Sequence, residues 1–173
     1  MVDIFDKDMN HIGIMEKQEA QCKCQWHKAV HIWVTDGKNV LVQLRSPNAK
    51  SFPNFRDISV AGHLQTGETP LDGAKREWGE EFGIVWDLGE IKQDYIFKYE
   101  KYNNGQPVNK FIYIYFVNKK IDLPKLRLQA EEVSRVEYIP YNKFVELFSS
   151  NKFIPNTVEY ENIVKQGLLK LMK

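Results

Sequence analysis

The stretch from Thr69 to Gly83 constrains this chain more than any other. Thr69 is a favoured helix N-cap, and Pro70 stands at the first helical position, where its missing N–H costs nothing. Leu71, Ala74, Trp78 and Phe82 recur at spacings of three and four and form one apolar stripe. Gly83 supplies a C-terminal cap, and Ile84 can pack back on the last turn. A helix with one such stripe needs other elements to cover it.

Those elements are mostly strands. Apolar alternation from Ala29 to Leu44 breaks at Asp36-Gly37, a two-residue hairpin signal, so 30–34 and 40–44 are expected to pair antiparallel. Pro47, Asn48, Pro53 and Asn54 mark 46–56 as loop, and 58–61 reads as a short strand ending at Gly62. Strands at 91–102 and 108–117 flank the turn signal Asn103-Asn-Gly105, and 133–139 is another strand. A short helix is expected over 141–148. Asn156-Thr-Val-Glu159 resembles a capping box opening a last helix to about Leu171. The fold class expected is α+β, a mixed sheet between helices.

Composition closes off several function classes. A chain of 173 residues fits one domain, 1–173, and can bury roughly two-thirds of its unfolded surface without a disulfide. Its net charge of +1 argues against a broad grip on nucleic acid. The apolar run 111–117 is far short of the roughly 20 residues a membrane helix needs, and acids near the start do not suit a signal peptide. Cys22 and Cys24 read as ordinary thiols, and the expected location is cytoplasmic.

The second face of the helix carries the chemistry. Glu77, Glu80 and Glu81 stand at i, i+3 and i+4, where like charges repel. A divalent cation reverses that sign, because Mg²⁺ prefers hard oxygen ligands. For three glutamates alone, a solvated acidic face is the simpler reading. The neighbourhood adds Gly62, whose carbonyl could turn toward the same ion, Glu68 before the helix, and Arg76, which could orient Glu77. Gly79 costs roughly 1 kcal/mol against alanine inside a helix and suggests close approach by another backbone.

Written out, Gly62-x5-Glu68-x7-Arg76-Glu77-Trp78-x-Glu80-Glu81-x-Gly83-Ile84 resembles the Nudix box over residues 62–84, with Trp78 the unusual member. The resemblance implies an α/β/α sandwich and Mg²⁺- or Mn²⁺-dependent attack of water on a small-molecule diphosphate. By the box's usual roles, Glu80 and Glu81 are metal ligands, Glu77 is ligand or general base, Arg76 orients it, and Gly62 and Glu68 support the site. Homodimers are common in the family. Glu132, before the late strand, matches an acidic residue that in many members reaches the metal site or acts as base; a solvated turn carboxylate is the alternative.

A second resemblance runs from Asp3 to the end of the box. Trp26-His-Lys-Ala-Val-His-Ile-Trp33, Leu44-Arg-Ser46, Phe52-Pro53 and Asp57-Ile-Ser-Val-Ala-Gly-His63 are similar to the Nudix subgroup of isopentenyl-diphosphate isomerase, with 1–25 as an N-terminal extension. It implies that Arg45 and Lys50 bind the diphosphate, although two surface cations would look the same in sequence. It also places His27 and His63 at metal-binding positions, while His31 reads as structural. The isomerases have a catalytic cysteine where this chain has Ala61, which can neither give nor take a proton. Hydrolysis is therefore expected over isomerisation, and a full set of box residues speaks against a non-catalytic ligand sensor. For a leaving group, Trp86, Tyr95, Phe97, Tyr113 and Tyr115 could stack on a base or build the core.

Overall fold

The computed structural model describes residues 1–89, 91, 94–103 and 106–172. Strand β3 (His27–Thr35) is the spine. Its residues alternate strictly: Val30, Ile32 and Val34 enter one core cluster, and Ala29 and Trp33 enter the other. A strand apolar on both faces must be covered on both, so the sheet is sandwiched.

On one side of β3 lies β4 (Asn39–Arg45), followed outward by β5 (Arg56–Asp57), with β9 (Val133–Pro140) also paired to β4. On the other lies β8 (Gln106–Asn118) and then β7 (Tyr95–Asn103), while β6 (Val60–His63) pairs with β3. Only β3 and β8 run parallel; the other pairs are antiparallel. The helix α2 (Pro70–Phe82) covers one face through Ala74, Trp78 and Phe82. Phe144 and Phe148 of α3 (Tyr141–Phe148), with Tyr160, Val164 and Leu168 of α4 (Val158–Leu171), cover the other. The class is α+β and the layering α/β/α, as expected.

The N-terminal 25 residues are more structured than expected. They form β1 (Val2–Phe5), β2 (His11–Met15) and α1 (Lys17–Cys22), with a small core of Val2, Ile4 and Ala20. A backbone bond from Phe5 to Trp26 joins this unit to β3.

Local signals held where they were local. Thr69 caps α2 by accepting from the Asp72 N–H at 3.2 Å, and Gly83 closes it at φ 64°. Asp36 accepts from the N–H groups of Lys38 and Asn39, closing the β3–β4 hairpin. Other expectations shift. The strand expected at 58–61 lies at 60–63, because the Ser59 hydroxyl takes the Val34 N–H and gives to the Leu41 carbonyl, replacing ladder bonds. The last helix is capped by Thr157, one residue after Asn156. Strand β7 begins at Tyr95, not Ile91, since the Asp94 carboxylate accepts the Phe116 N–H where the ladder would continue. Lys92 and Gln93 of that expected strand, with Asn104 and Gly105 of the expected turn, lie outside the described residues. No helix among those described is long and apolar enough to cross a membrane.

Candidate active site

Gly62 explains how α2 meets the sheet. It lies inside β6, paired with Val30 and one residue before the strand ends, whereas the sequence pattern puts it just past the strand. A Cβ at this position would sit 1.8 Å from the Glu77 Cδ, so only glycine leaves room for that carboxylate against the strand. Glu77 is therefore pressed into the protein, its side chain 13% exposed, while Glu80 on the outer edge is 52% exposed. Gly79 has no atom within 4 Å of where a Cβ would be, so the close approach expected there is absent. It faces solvent, and helical spacing alone cannot distinguish that from a contact.

Arg76 is the internal cation of the cluster. Its Nε and Nη2 donate to both oxygens of Glu68 at 2.7 and 3.0 Å, and Nη2 also reaches the His63 carbonyl at 2.9 Å. Its Nη1 donates to Glu77 Oε1 at 2.8 Å and to Glu80 Oε2 at 3.0 Å. The bidentate bond holds Glu68 below the usual carboxylate range and raises the guanidinium above its own. Arg76 thus bonds both oxygens of Glu68 and one of Glu77. Burial raises the Glu77 carboxyl, with Arg76 opposing that shift and Glu80 adding to it.

Glu81 is placed differently. It is 8% exposed and, among the described residues, receives neutral donors: the Gln43 amide and the Ala61 N–H. Burial pushes its carboxyl well above the usual range; those donors oppose the shift, and Glu77 and Asp57 add to it by repulsion. Gln43 is itself buried and also donates to the Ser59 carbonyl at 2.8 Å. Sequence reasoning missed it, because a lone glutamine in an apolar strand carries no signal. It meets Glu81 across 38 residues of chain.

The remaining expected residues are spread around this centre. His27 and His63 stack at 5.0 Å. Burial lowers His27 to about 4 and His63 well below its ordinary value, with Lys110 adding to both shifts. The Gln21 amide meets His63 Nε2 at 3.2 Å, and His31 hydrogen-bonds the Tyr160 hydroxyl in the core, consistent with a structural role. Arg45 is engaged within the protein: Nη1 donates to Asp57 Oδ2 at 3.0 Å and Nε to the Ser51 carbonyl at 2.9 Å. Lys50 is exposed on the loop. Glu132 has an exposed side chain, and its carbonyl accepts from the Ser46 N–H, beside Arg45. Phe97, Tyr113 and Tyr115 are buried in the two cores, Trp86 packs edge-on against Trp78, and Tyr95 against Phe116. The stacking role gives way to packing for these five.

The donor set fits a hard divalent ion. Two neighbouring carboxylates, Glu77 and Glu81, are withdrawn from water, and among the described residues no cation bonds Glu81. Among the described residues, no three His, Cys, Asp or Glu side chains are gathered as a ready cage, because Glu80 turns to Arg76.

Residues 25–159 match the NUDIX domain model. The chain belongs to the Nudix family. It is 35% identical over 137 residues to an uncharacterised Nudix hydrolase of Clostridium acetobutylicum, covering 76% of this chain and 66% of that protein. It is 32% identical over 168 residues to Nudix hydrolase 3 of Arabidopsis thaliana, covering 92% of this chain but only 22% of the plant protein. The chain thus spans less than two-thirds of either relative. In fold, a Deinococcus radiodurans crystal structure superposes with a TM-score of 0.70 at 16% identity, covering 99% of both chains. The Nudix box accounts for Gly62, Glu68, Arg76 and the three helix glutamates in one motif, and Nudix hydrolases generally use divalent metals.

Proposed function

We propose that this chain, acting as one Nudix domain over 1–173, hydrolyses a diphosphate-containing small molecule, a nucleoside-diphosphate derivative or similar metabolite. Water attacks phosphorus, and Glu77, Glu80 and Glu81 hold Mg²⁺ or Mn²⁺. The observation that carries this reading is the buried Glu81 carboxylate beside Glu77, with neutral donors only. Such a pair is destabilising by itself and becomes favourable when a divalent ion joins it. When bound, the ion neutralises charge on the diphosphate and lowers the pKa of water.

The protein supplies placement. Gln43 and the Ala61 N–H fix Glu81, and Arg76 with its Glu68 anchor fixes Glu77 over Gly62. Arg76 holds Glu77 Oε1, so Oε2 is the atom left either to ligate the ion or, as the general base, to take a proton from the attacking water. Burial raises the pKa of Glu77, the direction that strengthens a carboxylate as a base. Glu132, whose carbonyl takes the N–H of Ser46 next to Arg45, is the second candidate for that role.

The similarity to the isopentenyl-diphosphate isomerase subgroup supports a related diphosphate substrate. Ala61 supports hydrolysis rather than isomerisation, since its methyl lies on β6 opposite His31 and exchanges no proton. The test is phosphate release, with a coupling phosphatase, from nucleoside diphosphates, nucleotide sugars, CDP-alcohols and isopentenyl diphosphate, with and without Mg²⁺. Mg²⁺-dependent turnover of one class is expected. Silence across the panel from a protein that binds Mg²⁺ contradicts the reading and leaves a ligand sensor.

A further inference from the structure

On the α3/α4 side of the sheet, four side chains meet at one corner. The parallel register sets Lys110 of β8 beside His27 of β3, and the antiparallel register sets Tyr99 of β7 on its other flank. Cross-strand neighbours share a face. His63 of β6 pairs with Ala29 on that same face and stacks on His27.

Two groups in this corner lack partners. His27 donates from Nδ1 to the Gln25 carbonyl at 2.8 Å, which leaves Nε2 with a lone pair. That atom is buried without a hydrogen bond among the described residues, in a side chain almost wholly out of solvent. Lys110 is half-buried, and among the described residues its ammonium makes no hydrogen bond or ion pair. Burial and the charge of Lys17 push it below its ordinary pKa, while Asp57 pulls it back. An ammonium kept from water without a counter-ion is unfavourable, so the position calls for an anion.

The corner belongs to the site already described. Asp57 acts electrostatically on both Lys110 and Glu81, and Lys17 on both Lys110 and Glu77. His63, stacked on His27, gives its carbonyl to Arg76 Nη2 at 2.9 Å, which joins the corner to the site by contact as well as by charge.

We propose that Lys110 binds a phosphoryl oxygen of the substrate. This deepens the hydrolase reading and rests on it for the identity of the ligand. It also moves the second cation of the phosphate clamp from Lys50, which is exposed on a loop, to the floor of the sheet.

The experiment compares wild type with Lys110→Met and Lys110→Arg, using inorganic pyrophosphate in EDTA by calorimetry, and KM and kcat on any substrate the panel identifies. Lys110→Met should weaken pyrophosphate binding and raise KM by about tenfold or more, with kcat changed less than about threefold. Lys110→Arg should stay within about threefold of wild type, because it keeps the charge. The unliganded Tm of Lys110→Met should equal or exceed that of wild type, since an unpaired charge has been removed; a merely structural lysine would lower it. Wild type that does not bind pyrophosphate, a Lys110→Met within about twofold of it, or a binding loss that follows a lowered Tm overturns the proposal. If the panel is silent but Lys110→Met loses pyrophosphate, the anion site stands and the hydrolase reading fails. If turnover is found and KM is unmoved, the reverse holds.

Discussion

Two carboxylate groups sit within one helix turn of each other and are treated oppositely by the fold. Glu68, with Glu77 Oε1 and Glu80, is gathered around Arg76, whose donors are all directed at protein oxygens. Glu81 is more deeply buried, yet receives only an amide and a backbone N–H. The first group carries its own cation. The second has no cation of its own among the described residues, and it is there that the proposed function puts a metal ion. A burial cost without a structural counterpart is what a binding function looks like in a folded chain.

The comparison can be broken by moving charge from one group or the other. The largest effect expected is from Glu81→Gln, which should lower metal-dependent turnover by about 100-fold or more while the protein stays folded; retention above about a tenth of wild-type rate, a change of 1.4 kcal/mol in barrier, contradicts the assignment. Arg76→Ala removes the cation from the first group. It should destabilise by about 2–3 kcal/mol, discounted for partial exposure, and lower Tm by several degrees in a thermal melt. Arg76→Lys should recover little of this, because it cannot bond Glu68 through two parallel N–H groups.

Gly62→Ala introduces a methyl where the Glu77 carboxylate now lies, 1.8 Å from its Cδ. Activity should fall about tenfold, and a wild-type rate would mean that Glu77 is free to work elsewhere.

A smaller effect tests the cost of Glu81 in the metal-free protein. Its folded pKa is raised, so the unfolded chain ionises first and stability is lost as pH rises from the ordinary carboxylate range through the folded value. Glu81→Gln cannot lose it. The difference in unfolding free energy between Glu81→Gln and wild type, measured by denaturation in EDTA, should therefore grow from pH 5 to pH 8, by up to roughly 1.4 kcal/mol for each unit by which the pKa is raised. The smallest effect is expected from Arg45→Ala, a few-fold rise in KM, because Arg45 is already shared with Asp57 and the Ser51 carbonyl. An unchanged KM removes it from the clamp.

What was legible in sequence divides along the same line. The helix, its caps and its glutamates are written within a few residues of one another, so Thr69, Gly83 and the 62–84 motif predict α2 and its chemistry. The hairpin at Asp36-Gly37 is equally local. Gln43 and Lys110 are not, since each matters through strand pairing or packing with residues far along the chain. Gly79 and Gly62 show the limit from both sides. Both are glycines in the motif, and only three-dimensional packing says that one makes room for a carboxylate while the other borders open solvent. The N-terminal sheet was missed because its strands are short and β2 is largely exposed, which leaves little apolar alternation to read.

The most direct measurement is Mn²⁺ binding followed by loss of the free-ion EPR signal, on wild type and on Glu81→Gln at pH 7.5. Wild type should bind the ion and Glu81→Gln should bind it at least about tenfold more weakly. Equal binding by the two proteins would show that the missing positive charge at Glu81 is not a metal, and the proposed active site would have to be rebuilt around another group.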